Sequence, residues 1–161
     1  MSRFRRTPAV LLAPPPALAL ALAVAACGSG DDLAKLPQTA VKQQVERYAG
    51  STLAASGQAT YRQSAANVTG CPRDNGKGLS DPDDAYYVQG SYDLPVPTGD
   101  PAATVDKIRA QWQQSGYTLA SATSATGVSA TTPDDYRMDL TSAAQADSLS
   151  LSIASPCYHP A

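Results

Sequence analysis

Histidine is nearly missing from this 161-residue chain, and the shortage narrows its chemistry at once. The one histidine, His159, stands close to the C-terminal end. A zinc site built on two histidines is therefore excluded within one monomer, and any histidine-based triad would rest on a single terminal residue, which reads as a bystander. Serines are plentiful, but neither a G-x-S-x-G elbow nor an S-x-x-K pair is present to activate one. G-K-G at 76–78 lacks the spacing and the following helix of a phosphate-binding loop. Basic residues are also few: 12 Lys and Arg against 14 Asp and Glu. A chain without a basic stripe is a poor partner for nucleic acid, whose phosphates dominate affinity. No internal repeat is visible, and no cofactor is implied.

What is present begins with the leader. Arg3, Arg5 and Arg6 form a basic head, and Ala9 to Ala26 follows without a charge. Eighteen apolar residues approach the length of a membrane-spanning helix, but Pro14, Pro15 and Pro16 interrupt the run and remove backbone donors. The stretch therefore reads as a removable export signal covering residues 1–26. It ends Val24, Ala25, Ala26, Cys27, then Gly28, Ser29, Gly30, which resembles the lipobox of bacterial lipoproteins. Small residues before the cut let a peptidase approach the backbone closely, and the Cys27 thiol is the nucleophile that accepts a diacylglyceryl group. An ordinary secretory signal with a chance cysteine is the plainer alternative. One acyl chain, palmitate for example, holds a protein only marginally, at about 0.8 kcal/mol per buried methylene, whereas two make attachment durable.

Cleavage before Cys27 would leave about 135 residues, which suits one domain with a real core. Without Arg3, Arg5 and Arg6, nine basic residues face 14 acidic ones, a formal charge of about −5. That charge disfavours adhesion to anionic lipid, so the membrane would be held through the covalent lipid. Cys71 and Cys157 remain, and outside the reducing cytoplasm they are expected to pair. Such a bridge closes a loop worth roughly 4–5 kcal/mol in the chain-entropy model. A reactive thiol pair would favour close spacing and basic neighbours; Arg73 is near Cys71, but nothing similar flanks Cys157.

The organisation expected is a lipidated Cys27 and flexible tether over 27–37, then a single domain over 38–161. Thr39 is a candidate helix cap, with Val41, Val45 and Tyr48 on one face, Leu53 continuing the stripe and Gly57 ending it. Residues 58–69 suggest a first strand, stopped by Gly70, Cys71 and Pro72. Ala85 to Leu94 is the strongest strand, ended by Pro95 and Pro97. Asp100 and Pro101 open a second helix with Val105, Ile108 and Trp112 as its buried stripe, closed by Gly116. Tyr117 to Ala122, Tyr136 to Thr141, and Leu149 to Ile153 read as strands, the last two forming a hairpin through a turn near Ala146 and Asp147. Residues 119–132 are weakly patterned and fit either a strand or a loop. The fold class is thus α+β, a mainly antiparallel sheet with two helices packed on one face and one disulfide.

The pattern resembles small actinobacterial exported lipoproteins, including mycobacterial ones, whose domains mostly lack an assigned activity. V-A-A-C-G-S-G, the G-C-P after the first strand, a helix ending W-Q-Q-S-G-Y, and a closing strand running into S-P-C-Y carry the resemblance. It implies an α+β domain with one disulfide, and no catalytic residues.

Four constellations are candidates for chemistry, modification or contact. Asp81, Asp83 and Asp84, with Asp74 and Asn75, raise the question of calcium, but D-N-G-K-G-L-S-D departs from the ion-loop spacing and Lys77 sits inside it; a solvated loop is the simpler reading. Asp134, Asp135 and Asp139 suggest an acid/base set, although neighbours on a strand point to opposite faces and residues after Pro133 read as a turn. Asn67-Val68-Thr69 matches a glycosylation sequon, of little force in a bacterial lipoprotein. Tyr86, Tyr87 and Tyr92 crowd one strand and are a possible aromatic contact patch, the alternative being that one set packs the core. The function expected is a membrane-anchored extracytoplasmic lipoprotein that binds an envelope protein, a glycan or a small ligand without catalysis. The alternative is a small cell-wall or peptide hydrolase using carboxylates such as Asp135 and Asp139.

Overall fold

The computed structural model describes residues 33–73, 76, 78–96, 100–121, 124–144 and 147–161. The segment expected to be an export signal, Cys27, Gly28 to Asp32, Asp74, Asn75, Lys77, Pro97, Ala122 and Ala146 lie outside the described residues.

The architecture is α+β. Six strands form one antiparallel sheet in the order β2-β3-β7-β6-β5-β4: β2 (Gln63–Gly70), β3 (Tyr86–Pro95), β7 (Ser148–Ala154), β6 (Arg137–Ser142), β5 (Val128–Thr131) and β4 (Thr118–Leu119). Two helices, α1 (Gln38–Ser56) and α2 (Pro101–Gln114), cover one face. β6 and β7 form the hairpin expected from their alternation, with Leu140 opposite Leu151 and Met138 opposite Ile153. β5 lies within the weakly patterned stretch. Its inward residues are only Val128 and Ala130, while Ser129 and Thr131 face outward, which is why its signal is faint.

Both helices end as their sequence dictates, and one begins otherwise. Asp100 accepts a hydrogen bond from the Ala103 amide at 3.0 Å and so caps α2. Gly57 takes the left-handed conformation at φ 77° and closes α1, and Gly116 does the same just past α2. Thr39 does not cap α1, contrary to expectation. The helix starts at Gln38 with Pro37 at the cap position, two residues earlier, and the Pro37 carbonyl accepts from the amides of Ala40 and Val41 without a side-chain cap.

The core lies between the helices and the inner face of the sheet. Val41, Val45 and Ala49 from α1, and Val105, Ile108 and Trp112 from α2, meet Tyr86, Val88, Leu94, Met138, Leu140, Leu149, Leu151 and Ile153. The Trp112 indole N–H donates to Thr52 Oγ1 at 3.1 Å, joining the two helices inside the apolar layer.

Two further contacts close the domain. β1 (Lys35–Leu36) pairs in parallel with β8 (His159–Pro160), so the folded unit starts inside the segment expected to be a tether. The Tyr86 hydroxyl donates to the Leu36 carbonyl at 2.7 Å and helps hold that strand. Cys71 and Cys157 are joined, with α-carbons 6.0 Å apart. They do not end neighbouring strands. The bridge straddles the start of β3, where Cys71 N–H donates to Ala85 and Tyr86 bridges to Tyr158. Replacing both cysteines by alanine is expected to lower stability by about 2–4 kcal/mol, the usual effect of freeing a long loop in the unfolded chain. Denaturant unfolding of the native and double-variant proteins measures it; equal midpoints would show that the bridge does not stabilise the fold.

Candidate functional site

Strand alternation divides the sheet into unlike faces. Along β3, Tyr86, Val88, Tyr92 and Leu94 point under the helices, while Tyr87, Gln89, Ser91 and Asp93 point outward. The register carries this outward set across the sheet. Ser91 lies opposite Ser152, which lies opposite Asp139, which lies opposite Ser129. Gln89 continues through Ala154 and Arg137 to Thr131 in the same way. No described element covers this face, which is a field of hydroxyls and amides with a few charges.

The tyrosine patch is corrected by the same alternation. Tyr86 is 0% exposed and Tyr92 5%, so both belong to the core and do not form an exposed patch with Tyr87. Tyr87 alone of the three faces outward, half-buried.

Tyr87 stands in a cleft of about 550 Å3 at the disulfide end of the open face. Pro72, Pro156 and Cys157 form one wall, held together by the bridge; Thr131, Asp135 and Arg137 come from β5, its turn and β6. Asp135 adopts φ 66°, a left-handed conformation that aspartate tolerates better than most residues. It is set by the turn itself, in which Asp135 N–H donates to Thr132 O at 3.0 Å and Thr132 N–H to Tyr136 O at 2.9 Å. The cleft thus offers an aromatic ring, a guanidinium, a carboxylate and hydroxyls on a rigid frame.

The carboxylates expected to work together are dispersed. Asp134 turns toward α1, where it accepts from the Tyr48 hydroxyl and, at 2.6 Å, from Thr132 Oγ1. Burial, with Asp134 beside it, pushes the Tyr48 pKa up to about 12. Asp135 lines the disulfide-end cleft and Asp139 a separate shallow one near β4, with Arg137 common to both. Both carboxylates are exposed. In the acidic loop, Asp81 Oδ1 accepts from the Asp83 amide at 3.0 Å, a turn contact. His159 is tied down: its backbone pairs with Lys35, and its Nδ1 lies 2.6 Å from the Asp84 carbonyl.

A third recess was not expected from the sequence. It runs between α1 and β2, with a volume of about 320 Å3, and its floor includes Tyr61 and Tyr92. The Tyr61 hydroxyl donates to Ala49 O at 2.6 Å, and its ring lies 5.0 Å from that of Tyr92. Tyr92 folds back over Gly90, where a Cβ would come within 2.6 Å of its ring. Glycine inside a strand marks such close approach, and Gly90 was the one signal pointing here. The Tyr92 hydroxyl is buried with no hydrogen-bond partner among the described residues.

No family model, curated protein or solved structure matches this chain.

Proposed function

We propose that this protein is an exported lipoprotein, held by a diacylglyceryl group on Cys27, whose domain binds an uncharged polyhydroxylated polymer of the cell envelope without catalysis. The observation that carries the binding part is the outer sheet face, mostly polar and covered by no described element, with Tyr87 and Arg137 in the cleft at its end. Hydroxyl and amide side chains on a sheet face match the donors and acceptors of a sugar chain, and a tyrosine ring supplies apolar area with a polar tip. The excess of acidic residues disfavours anionic polymers, which leaves neutral glycan as the better partner. The anchoring part rests on the lipobox-like V-A-A-C-G-S-G and on two distant cysteines suited to an oxidising compartment.

Two measurements test this reading. Alkyne fatty-acid labelling is expected to mark the native chain and not Cys27→Ala; equal label in both refutes the anchor. Native full-length protein is expected to co-sediment with protease-stripped cell walls. Replacing Tyr87 and Arg137 together by alanine should weaken that by about tenfold, or 1.4 kcal/mol, with the unfolding midpoint unchanged. Stripped walls that fail to retain the native protein, or that retain the variant equally, refute the glycan reading.

A further inference from the structure

The two edges of the main sheet are unlike. β4 is two residues long, whereas β2 runs eight residues as the other outer strand, with no described strand beyond it. Proteins usually blunt a long edge with lysine, proline or a bulge. Q-S-A-A-N-V-T-G contains neither residue, and its ladder to β3 is unbroken from Gln63 opposite Asp93 to Gly70 opposite Tyr86. Beside this edge, on the helix face, lies the 320 Å3 recess. Glu46, Gly50 and Leu53 make its helical wall and Ala66 its strand wall. A Cβ on Gly50 would meet nothing within 4 Å, so the recess is open there. Tyr92 beneath it is 5% exposed, and its hydroxyl has no partner among the described residues.

A free strand edge beside a helix, with an apolar recess between them, is the geometry in which an extended peptide adds as an extra strand. Main-chain hydrogen bonds supply affinity, and alternate side chains enter the recess. We propose that the β2 edge and the α1–β2 recess form a docking groove for an extended segment of a partner protein, with an apolar side chain in the recess and basic residues facing Glu46. The site is separate from the outer-face cleft and would serve a protein partner while that face holds polymer. A second copy of the chain fits less well. β2 laid antiparallel on itself would bring Ser64, Ala66 and Val68 to the recess side, too small to fill it, and the chain's net charge of −2 disfavours a copy at Glu46. The same charge favours a basic segment.

The test uses full-length protein in detergent and a capped synthetic heptapeptide of alternating leucine and lysine, read by hydrogen exchange over 63–70. The peptide is expected to slow exchange in β2 by about tenfold or more at saturation. The same peptide N-methylated at alternate amides keeps its charge and side chains but should give no protection. Gly50→Leu fills the recess and should weaken peptide binding about tenfold, while its unfolding midpoint stays level or rises because leucine favours the helix over glycine. Three results overturn the proposal: no protection by the heptapeptide; protection that survives both N-methylation and Gly50→Leu; or protection of 63–70 in the protein alone at dimeric mass, which would assign the edge to a second copy.

Discussion

Trp112→Ala is expected to cost about 3–5 kcal/mol, enough to bring a domain of ordinary stability close to unfolding. Trp112 is 0% exposed and is among the largest fully buried side chains. It lies beneath α1, between Thr52 and the Tyr117 ring, whose centroid is 6.4 Å away. Its removal leaves a void that the sheet, paired on both sides of β7, cannot collapse to fill. The polar loss is smaller. Thr52 Oγ1 still donates to Tyr48 O at 3.0 Å, so the hydroxyl is not orphaned when the indole goes. Trp112→Phe should therefore recover most of the deficit, which separates packing from hydrogen bonding. Denaturant unfolding followed by circular dichroism measures both variants. An alanine variant within about 1 kcal/mol of native would contradict this placement of the core.

The second large effect is alkaline unfolding. Tyr86, Tyr92 and Tyr136 are each at most 5% exposed. Burial is the leading cause that raises the pKa of all three above the ordinary 10.0, to about 12 for Tyr92. Glu46 pushes Tyr92 the same way, and Tyr158 adds to burial at both Tyr86 and Tyr136. Burial costs a phenolate far more than a neutral phenol, so the folded protein resists ionisation that the unfolded chain undergoes freely. The contribution of these groups is whole below about pH 10 and is lost as pH rises toward the folded values. Each tyrosine that ionises only when unfolded contributes a slope of about 1.4 kcal/mol per pH unit, so the three together give about 4. Stability should be level from about pH 8 to pH 9 and fall steeply above pH 10, with tyrosinate absorbance rising together with unfolding. Tyrosine ionisation completed near pH 10 in protein that remains folded would contradict the burial of these rings.

The second of these effects also shows how much of the site was legible. Three tyrosines in one strand announced aromatic content, but period-two alternation permits two assignments of face, and only the position of α1 and α2 chooses between them. The helices lie over Tyr86 and Tyr92, so the patch contracts to Tyr87. The carboxylates behave similarly. Asp134 and Asp135 are adjacent in sequence, yet the Asp135 left-handed turn sends one toward Tyr48 and leaves the other in the disulfide-end cleft.

What the sequence determined by itself was everything set by local periodicity and local chemistry. Val41 and Val45, Val105, Ile108 and Trp112, and Leu149, Leu151 and Ile153 declare their elements because a helix or strand with one buried face must repeat at a set interval. Asp100 with Pro101, and Gly57, mark ends because cap and left-handed geometry suit few residues. The cysteine pair followed from count and from the compartment that the leader leads one to expect. Tertiary structure decided what depends on residues distant in the chain: the sheet order, the pairing of Lys35–Leu36 with His159–Pro160, and the recess between α1 and β2. β5 belongs with these, because a strand of alternating small residues with one face in solvent carries too little hydrophobic contrast to be told from a loop until its neighbours hold it.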